Sequence, residues 1–237
     1  MAITSGLNVR LYVEGNDLSG DANALDGAGY TQETLDTTTL NEAAVSRIYG
    51  RTDGSLSVNG FFDNASNKIH ETFTSNSGKL PTADQVVLVP LGASVGDEMV
   101  GISTKESEYN VSRSQGSAMT VSSTFSGNGM GGEFGEMLTA HDDTHASATD
   151  GTAVDNSAST SSGGSGYLQI MSLGSGTVDI KIEDSSDNAT WSDLVTFTSA
   201  GTSDVPKAER IEVSGTVDRY IRAVSYTHLT LPTIYSV

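Results

Sequence analysis

The stretch VDIKIE at residues 178–183 decides the fold class, because every second side chain is apolar and each one after it is charged. Successive side chains of a strand point to opposite faces, so the pattern predicts a strand with one buried and one solvated face. Residues 184–188 (DSSDN) break the pattern with side chains that hydrogen-bond their own backbone in turns. Apolar residues return at 191–197, and alternation returns at 211–213 and 219–222. We therefore expect a small antiparallel β-sandwich here.

The composition favours many short strands joined by turns. The 237 residues include 26 glycines and only 6% aromatic residues. There is no cysteine, which excludes a disulfide framework and thiol chemistry and fits folding in a reducing cytoplasm. No apolar run approaches the roughly 20 residues of a membrane span. The start MAITS lacks the basic residues of a secretion signal.

The net charge of −18 argues against a protein that grips nucleic-acid phosphates, because that function requires clustered lysine and arginine. Residues 1–140 hold 17 acidic and 7 basic residues, and residues 141–165 hold 4 acidic and no basic ones. Residues 166–223 hold 9 acidic and 5 basic residues. Most of the acidic excess therefore lies in the N-terminal part. A solvated acidic surface that keeps the protein soluble would account for it.

The chain pattern predicts two β domains, at 1–140 and 166–223. Residues 141–165 are small and polar throughout, and are predicted to be a linker. Such a segment cannot bury enough apolar area to offset an ordering entropy of about 1–2 kcal/mol per residue. Within the first domain we expect an opening hairpin at 7–17, strands on either side of a tight Asp53-Gly54 turn at 48–63, a short helix capped by Asn64, and strands at 85–91, 99–113 and 118–125.

The last residues resemble artificial sequence. Residues 224–233 read VSYTHLTLPT, which resembles the in-frame translation of a sequencing adapter. We therefore exclude residues 224–237 from the predicted fold and expect the natural sequence to be truncated near Ala223, inside the C-terminal domain. The alternative is a genuine strand, because tyrosine, threonine and leucine are plausible strand residues.

Few residues suggest chemistry. His141 and His145 are spaced to share a helix face toward a metal, but their small polar neighbours favour a linker. Asp184, Asp187 and Asn188 offer oxygen ligands to calcium, although a hydrogen-bonded turn fits them better. No nucleophile elbow, phosphate loop or catalytic triad is evident. The sequence predicts no enzyme, no cofactor and no metal site.

Two stretches resemble a known family. Residues 50–63 (GRTDGSLSVNGFFD) resemble the tail-tube, or major tail, proteins of long-tailed bacteriophages. Residues 177–197 (TVDIKIEDSSDNATWSDLVTF) and 209–224 (ERIEVSGTVDRYIRAV) resemble the C-terminal domain appended to such proteins in actinophages. The resemblance implies a mainly β fold with a tail-tube-like sandwich or barrel carrying one short helix, followed by a small C-terminal sandwich that lacks its last strands.

The resemblance also implies a function. Tail-tube proteins self-assemble into stacked hexameric rings and form a conduit through which genomic DNA passes without specific binding. This chain would then be a virion protein of the tail, made in the host bacterial cytoplasm, with other copies of itself and other tail proteins as partners. An acidic inner wall would repel the duplex. The segment expected to reach a neighbouring subunit contains Thr38, Thr39, Leu40, Asn41, Glu42, Val45 and Arg47.

Two other function classes stay open. A carbohydrate- or cell-surface-binding β-sandwich of a phage or bacterial surface protein would also carry a tryptophan such as Trp191. One tryptophan per sandwich is ordinary core, however, and no second aromatic platform is evident. A hydrolase is the weaker rival, because no catalytic set can be assembled.

Overall fold

The computed structural model describes residues 6–75 and 78–228. The protein is mainly β, as predicted, with sixteen strands and one short helix among the described residues. The strands form an eight-stranded sheet, a six-stranded sheet and a two-stranded ribbon, and none closes into a barrel. No helix in the described ranges is long and apolar enough to cross a membrane.

The N-terminal sheet is antiparallel, in the order β2-β1-β5-β6-β7-β4-β3, with β8 paired to β6. Its first two strands form the predicted opening hairpin around Glu14 and Gly15, both of which have positive φ. The elements are β1 (Tyr12–Val13), β2 (Asn16–Asp17), β3 (Ala22–Asp36), β4 (Arg47–Phe61), α1 (Ile69–Phe73), β5 (Gln85–Pro90), β6 (Glu98–Ser112), β7 (Thr120–Gly127) and β8 (Glu133–Glu136).

One face of this sheet carries the larger core. Leu56 and Val58 of β4 and Phe125 of β7 are fully buried because alternate side chains point to the same face. Phe73 of α1 covers them, with its ring 5.2 Å from that of Phe125 in an edge-on arrangement. The helix therefore closes the open side of the sheet.

Two local predictions in this half are wrong. The residues Asp53 and Gly54 do not form a turn, because β4 runs through them without a break. A Cβ on Gly54 would lie 2.6 Å from the side chain of Ile102 and 2.9 Å from the backbone of Gly132, so the glycine is required by close packing. Asn64 does not cap α1, which begins only at Ile69.

The C-terminal sheet has the order β10-β16-β12-β13, with β14 beside β12 and β9 beside β16. The remaining strands, β11 and β15, pair with each other over seven residues each. The elements are β9 (Thr149–Asp150), β10 (Val154–Asp155), β11 (Gly164–Ile170), β12 (Thr177–Ser185), β13 (Ser192–Thr196), β14 (Ala200–Gly201), β15 (Lys207–Val213) and β16 (Tyr220–His228).

The stretch VDIKIE forms β12, and its apolar face packs on Leu168, Val195 and Phe197 as expected. Its charged face is less exposed than predicted. Glu183 is buried because Arg222 forms an ion pair with it, at 2.7 Å. The guanidinium of Arg222 also lies 4.3 Å from the ring centre of Trp191, so Trp191 covers this ion pair.

The predicted linker at 141–165 contains paired strands. Both β9 and β10 pair with β16, and Val154 is buried. Backbone hydrogen bonds order this segment although its side chains are small and polar. Where the chain divides into domains stays a prediction.

Part of the excluded C-terminal stretch also belongs to the sheet. Residues 224–228 continue β16 and pair with β12, and Val224 is only 1% exposed. This corrects their exclusion from the fold and fits the alternative of a genuine strand. Residues 229–237 lie outside the described part of the chain.

The β11–β15 ribbon joins the two halves. Arg210 of β15 forms an ion pair with Glu133 of β8, at 2.8 Å, and Tyr167 of β11 donates its hydroxyl to the same carboxylate. The Tyr167 ring lies over Gly101, where a Cβ would approach it to 2.6 Å. Burial raises the pKa of Glu133, but the hydrogen bonds from Arg210 and Tyr167 outweigh burial and leave that pKa lowered.

Candidate subunit-contact site

The long hairpin of β3 and β4 extends beyond the rest of its sheet. Each strand has 15 residues, but β7 pairs with β4 only from Ser55 to Phe61. Residues 31–36 and 47–53 therefore pair only with each other. We call residues 31–52 the arm. Six strand residues span about 20 Å, so the arm projects well beyond the sheet.

Polar side chains order the tip of the arm. The carboxylate of Asp36 accepts hydrogen bonds from the Thr38 backbone N–H, at 2.8 Å, and from its hydroxyl, at 2.5 Å. The Thr38 hydroxyl in turn accepts the backbone N–H of Ser46, at 3.0 Å. These hydrogen bonds from Thr38 lower the pKa of Asp36. Glu42 closes the outer turn by accepting the N–H of Thr39, at 3.0 Å.

The arm exposes apolar side chains on both faces. Leu35 and Ile48 lie directly opposite each other on one face, and Tyr49 on the other face is 74% exposed. Leu40 is fully exposed at the tip. An isolated two-stranded hairpin is only marginally stable in water, so these residues favour a partner that covers the arm.

Two unpaired cations accompany these apolar residues. Eight of the twelve lysines and arginines form ion pairs within the described chain. Arg47 and Arg51 form none there, and both lie on the arm. Arg47 shares one face of β4 with Tyr49 because every second residue of a regular strand points the same way, and Arg51 lies in a β-bulge between Tyr49 and Thr52.

The structure brings the predicted contact residues together at the end of the arm. Arg47 begins β4, and the others lie in the connecting loop: Thr38, Thr39, Leu40, Asn41, Glu42 and Val45. Their role as subunit contacts stays a prediction. Sequence reasoning missed Leu35, Ile48, Tyr49 and Arg51 as exposed arm residues.

The other sequence candidates take structural roles. His141 and His145 do not share a helix, and His145 contacts Ser225 at 2.7 Å and Asp143 at 3.2 Å. No group of three or more possible metal ligands occurs among the described residues. Asp187 accepts the backbone N–H groups of residues 190 and 189, which lowers its pKa to about 2.

In the middle of β4 and β7, the face of the sheet opposite the core is polar. Ser57 and Asn59 of β4 point away from the core, beside Thr124 and Ser122 of β7. Asp26 and Glu108 lie next to them in register, on β3 and β6. Lys105 is the cation at the edge of this face, and it forms an ion pair with Asp84 at 2.6 Å. The face therefore carries acidic and neutral polar groups.

Comparison with known protein families finds no match, and no curated protein is similar in sequence. Among solved structures, the chain is similar to a protein in the tail of an empty gene transfer agent particle with C6 symmetry. The two are 16% identical, and the match covers 57% of this chain and 99% of the tail protein with a TM-score of 0.40. The cap that terminates the tube of an anti-feeding prophage is 7% identical, and the match covers 58% of this chain and 93% of the cap chain with a TM-score of 0.45. The Dit hub protein of phage SPP1 is 11% identical, and the match covers 93% of this chain and 99% of the Dit chain with a TM-score of 0.34.

Proposed function

We propose that the chain is a structural subunit of a phage tail tube, which self-assembles into stacked hexameric rings around a passage for DNA. The observation that carries the proposal is the arm. It places apolar residues and two arginines without ion pairs in the described chain beyond its own sheet, where a neighbouring molecule would cover them. The tail-tube resemblance of residues 50–63 falls on β4, the strand that forms half of the arm.

The polar sheet face is suited to the wall of the passage. A wall that made several phosphate contacts would hold DNA tightly and in a salt-dependent way. Ser57, Asn59, Ser122 and Thr124 offer no charge, and the nearby Asp26 and Glu108 repel phosphate. DNA could then slide past without being retained.

Electron microscopy of the purified protein tests this function. Rings with sixfold symmetry, or stacks of them, are expected under conditions that favour assembly. A variant with residues 32–52 replaced by a two-residue Asn-Gly turn, which joins the register partners Thr31 and Asp53, should stay folded and monomeric. If the full chain is monomeric under every condition tried, the tail-tube proposal fails.

The alternative of a carbohydrate- or cell-surface-binding module depends on Trp191. The Arg222 guanidinium lies over the Trp191 ring at 4.3 Å, on a face that a sugar would need for stacking. The tryptophan therefore supports the ion pair with Glu183, and this structural role counts against the alternative.

A further inference from the structure

A second exposed surface lies at the root of the arm. Tyr30 of β3 and Phe134 of β8 are 58% and 61% exposed, and their rings meet edge-on at 6.3 Å. They line an open cleft together with residues 27–29 and Ser55. Two adjoining aromatic side chains that are more than half exposed form a surface suited to another aromatic ring.

Two carboxylates flank these rings. Glu98 of β6 and Glu136 of β8 are register partners, so they lie directly opposite each other across the two strands. Both are exposed, and neither forms an ion pair within the described residues. Glu136 lies two residues beyond Phe134 and therefore points to the same face. Like charges directly opposite each other are destabilising, and a cation between them would relieve the repulsion. We call Tyr30, Phe134, Glu98 and Glu136 the root patch.

The arm offers the complement of the root patch. Arg47 and Tyr49 share one face of β4, about 7 Å apart, and Arg51 follows in the β-bulge that lies between Tyr49 and Thr52. Tyr49 thus has one arginine two residues before it and another two residues after it, and neither arginine forms an ion pair in the described chain. The root patch presents two aromatic rings beside two unpaired carboxylates. The two surfaces match in both polarity and charge.

We propose that the arm of one copy docks on the root patch of a second copy, with Tyr49 packed on Tyr30 and Phe134 and an arginine placed between Glu98 and Glu136. The proposal rests on the self-assembly proposed above and names its contact. The arm cannot reach its own patch, because Tyr49 pairs with Thr34, which lies four residues, or about 13 Å, along β3 from Tyr30. Arm and patch are different surfaces, so each copy binds head to tail, and repetition of this contact closes a ring or builds a helix.

Charge reversal tests the contact. We expect Arg47→Glu with Arg51→Glu, and separately Glu98→Arg with Glu136→Arg, to reduce assembled material in sedimentation at least tenfold without changing the thermal unfolding midpoint. The combination of all four substitutions in one chain should restore assembly. Arg113→Glu is the matched control, because Arg113 is also unpaired in the described chain but lies outside both surfaces, and it should assemble like the original protein.

Cross-linking gives a second, independent measurement. The chain has no cysteine, so Tyr49→Cys and Phe134→Cys variants mixed under oxidising conditions should give a disulfide-linked dimer. Tyr49→Cys mixed with Thr202→Cys should not. If rings form but the reversed variants also assemble and the first pair does not cross-link, the docking proposal is wrong while the tail-tube function stands. A protein that never assembles would contradict both.

Discussion

At the scale of single residues, Glu106 is the least expected feature of the fold. This carboxyl group on β6 is only 5% exposed. Its Oε1 accepts the hydroxyl of Ser123, at 2.5 Å, and its Oε2 has no hydrogen-bond partner among the described residues. Burial raises the pKa of Glu106 to about 7, and the hydrogen bond from Ser123 opposes this increase only in part. The protein therefore buries a group that ionises near neutral pH.

We expect Glu106→Gln to stabilise the protein at pH 8. A carboxyl group whose folded pKa lies above its unfolded pKa destabilises the fold as pH rises between the two values, here from about 4.5 to about 7. The amide keeps a partner for Ser123 and carries no charge, so the free energy of unfolding should rise by about 2 kcal/mol at pH 8 and change little at pH 4.5. Urea unfolding at both pH values measures this.

Glu108→Gln is the control for Glu106→Gln, because Glu108 is exposed on the same strand. It should leave unfolding unchanged at both pH values. Equal effects of the two substitutions would contradict the role given to burial. The strict alternation of Val100, Ile102, Thr104 and Glu106 could have predicted that Glu106 points inward.

At the scale of elements, β16 gives a clear test. A chain ending at His228 should unfold at a higher temperature than one ending at Ala223. The longer chain keeps the ladder from Val224 to His228 on β12 and the buried Val224 side chain. Calorimetry of the two truncated chains measures the difference. Equal unfolding midpoints would indicate that residues 224–228 do not stabilise the fold, as the adapter interpretation predicts.

The two-domain prediction is tested by limited proteolysis with subtilisin. The first cuts are expected at 141–148 or 156–163, because these segments flank the short strands β9 and β10 and lack regular structure over most of their length. Two resistant fragments should remain. A first cut between Val86 and Phe125, inside the paired strands of the larger sheet, would contradict the division of the chain.

Local patterns predicted most strands but not how far each one extends. Period-two alternation identified β12 and the buried faces of β4 and β7. It could not show that Gly54 lies inside a strand. An Asp-Gly pair is typical of a turn, but here the glycine leaves space for the side chain of Ile102. Residues 38–47 of the arm were predicted as a contact segment from family resemblance. How far the arm projects from the sheet depends on where β7 ends, and no sequence pattern within the arm predicts that position.

At the scale of the whole molecule, charge should control assembly. Each copy carries a net charge of −18, so copies repel one another over a screening length of about 10 Å at 0.1 M salt. The net repulsion outweighs two arginine contacts, so raising the salt concentration should increase the assembled fraction in sedimentation. The assembled protein should not shift duplex DNA in a gel even at low salt. Tight binding of DNA at low salt would contradict an acidic passage.

The way β4 is anchored determines how the arm would carry a mechanical load. A neighbour that pulls on the tip stretches two covalent backbones, and the force passes into the seven register pairs that hold β4 to β7 between Ser55 and Phe61. The force acts along these strands, so the hydrogen bonds of the ladder are sheared together and do not open one after another. The arm is thus built as a tether that resists extension, while bending of the unsupported hairpin stays easy.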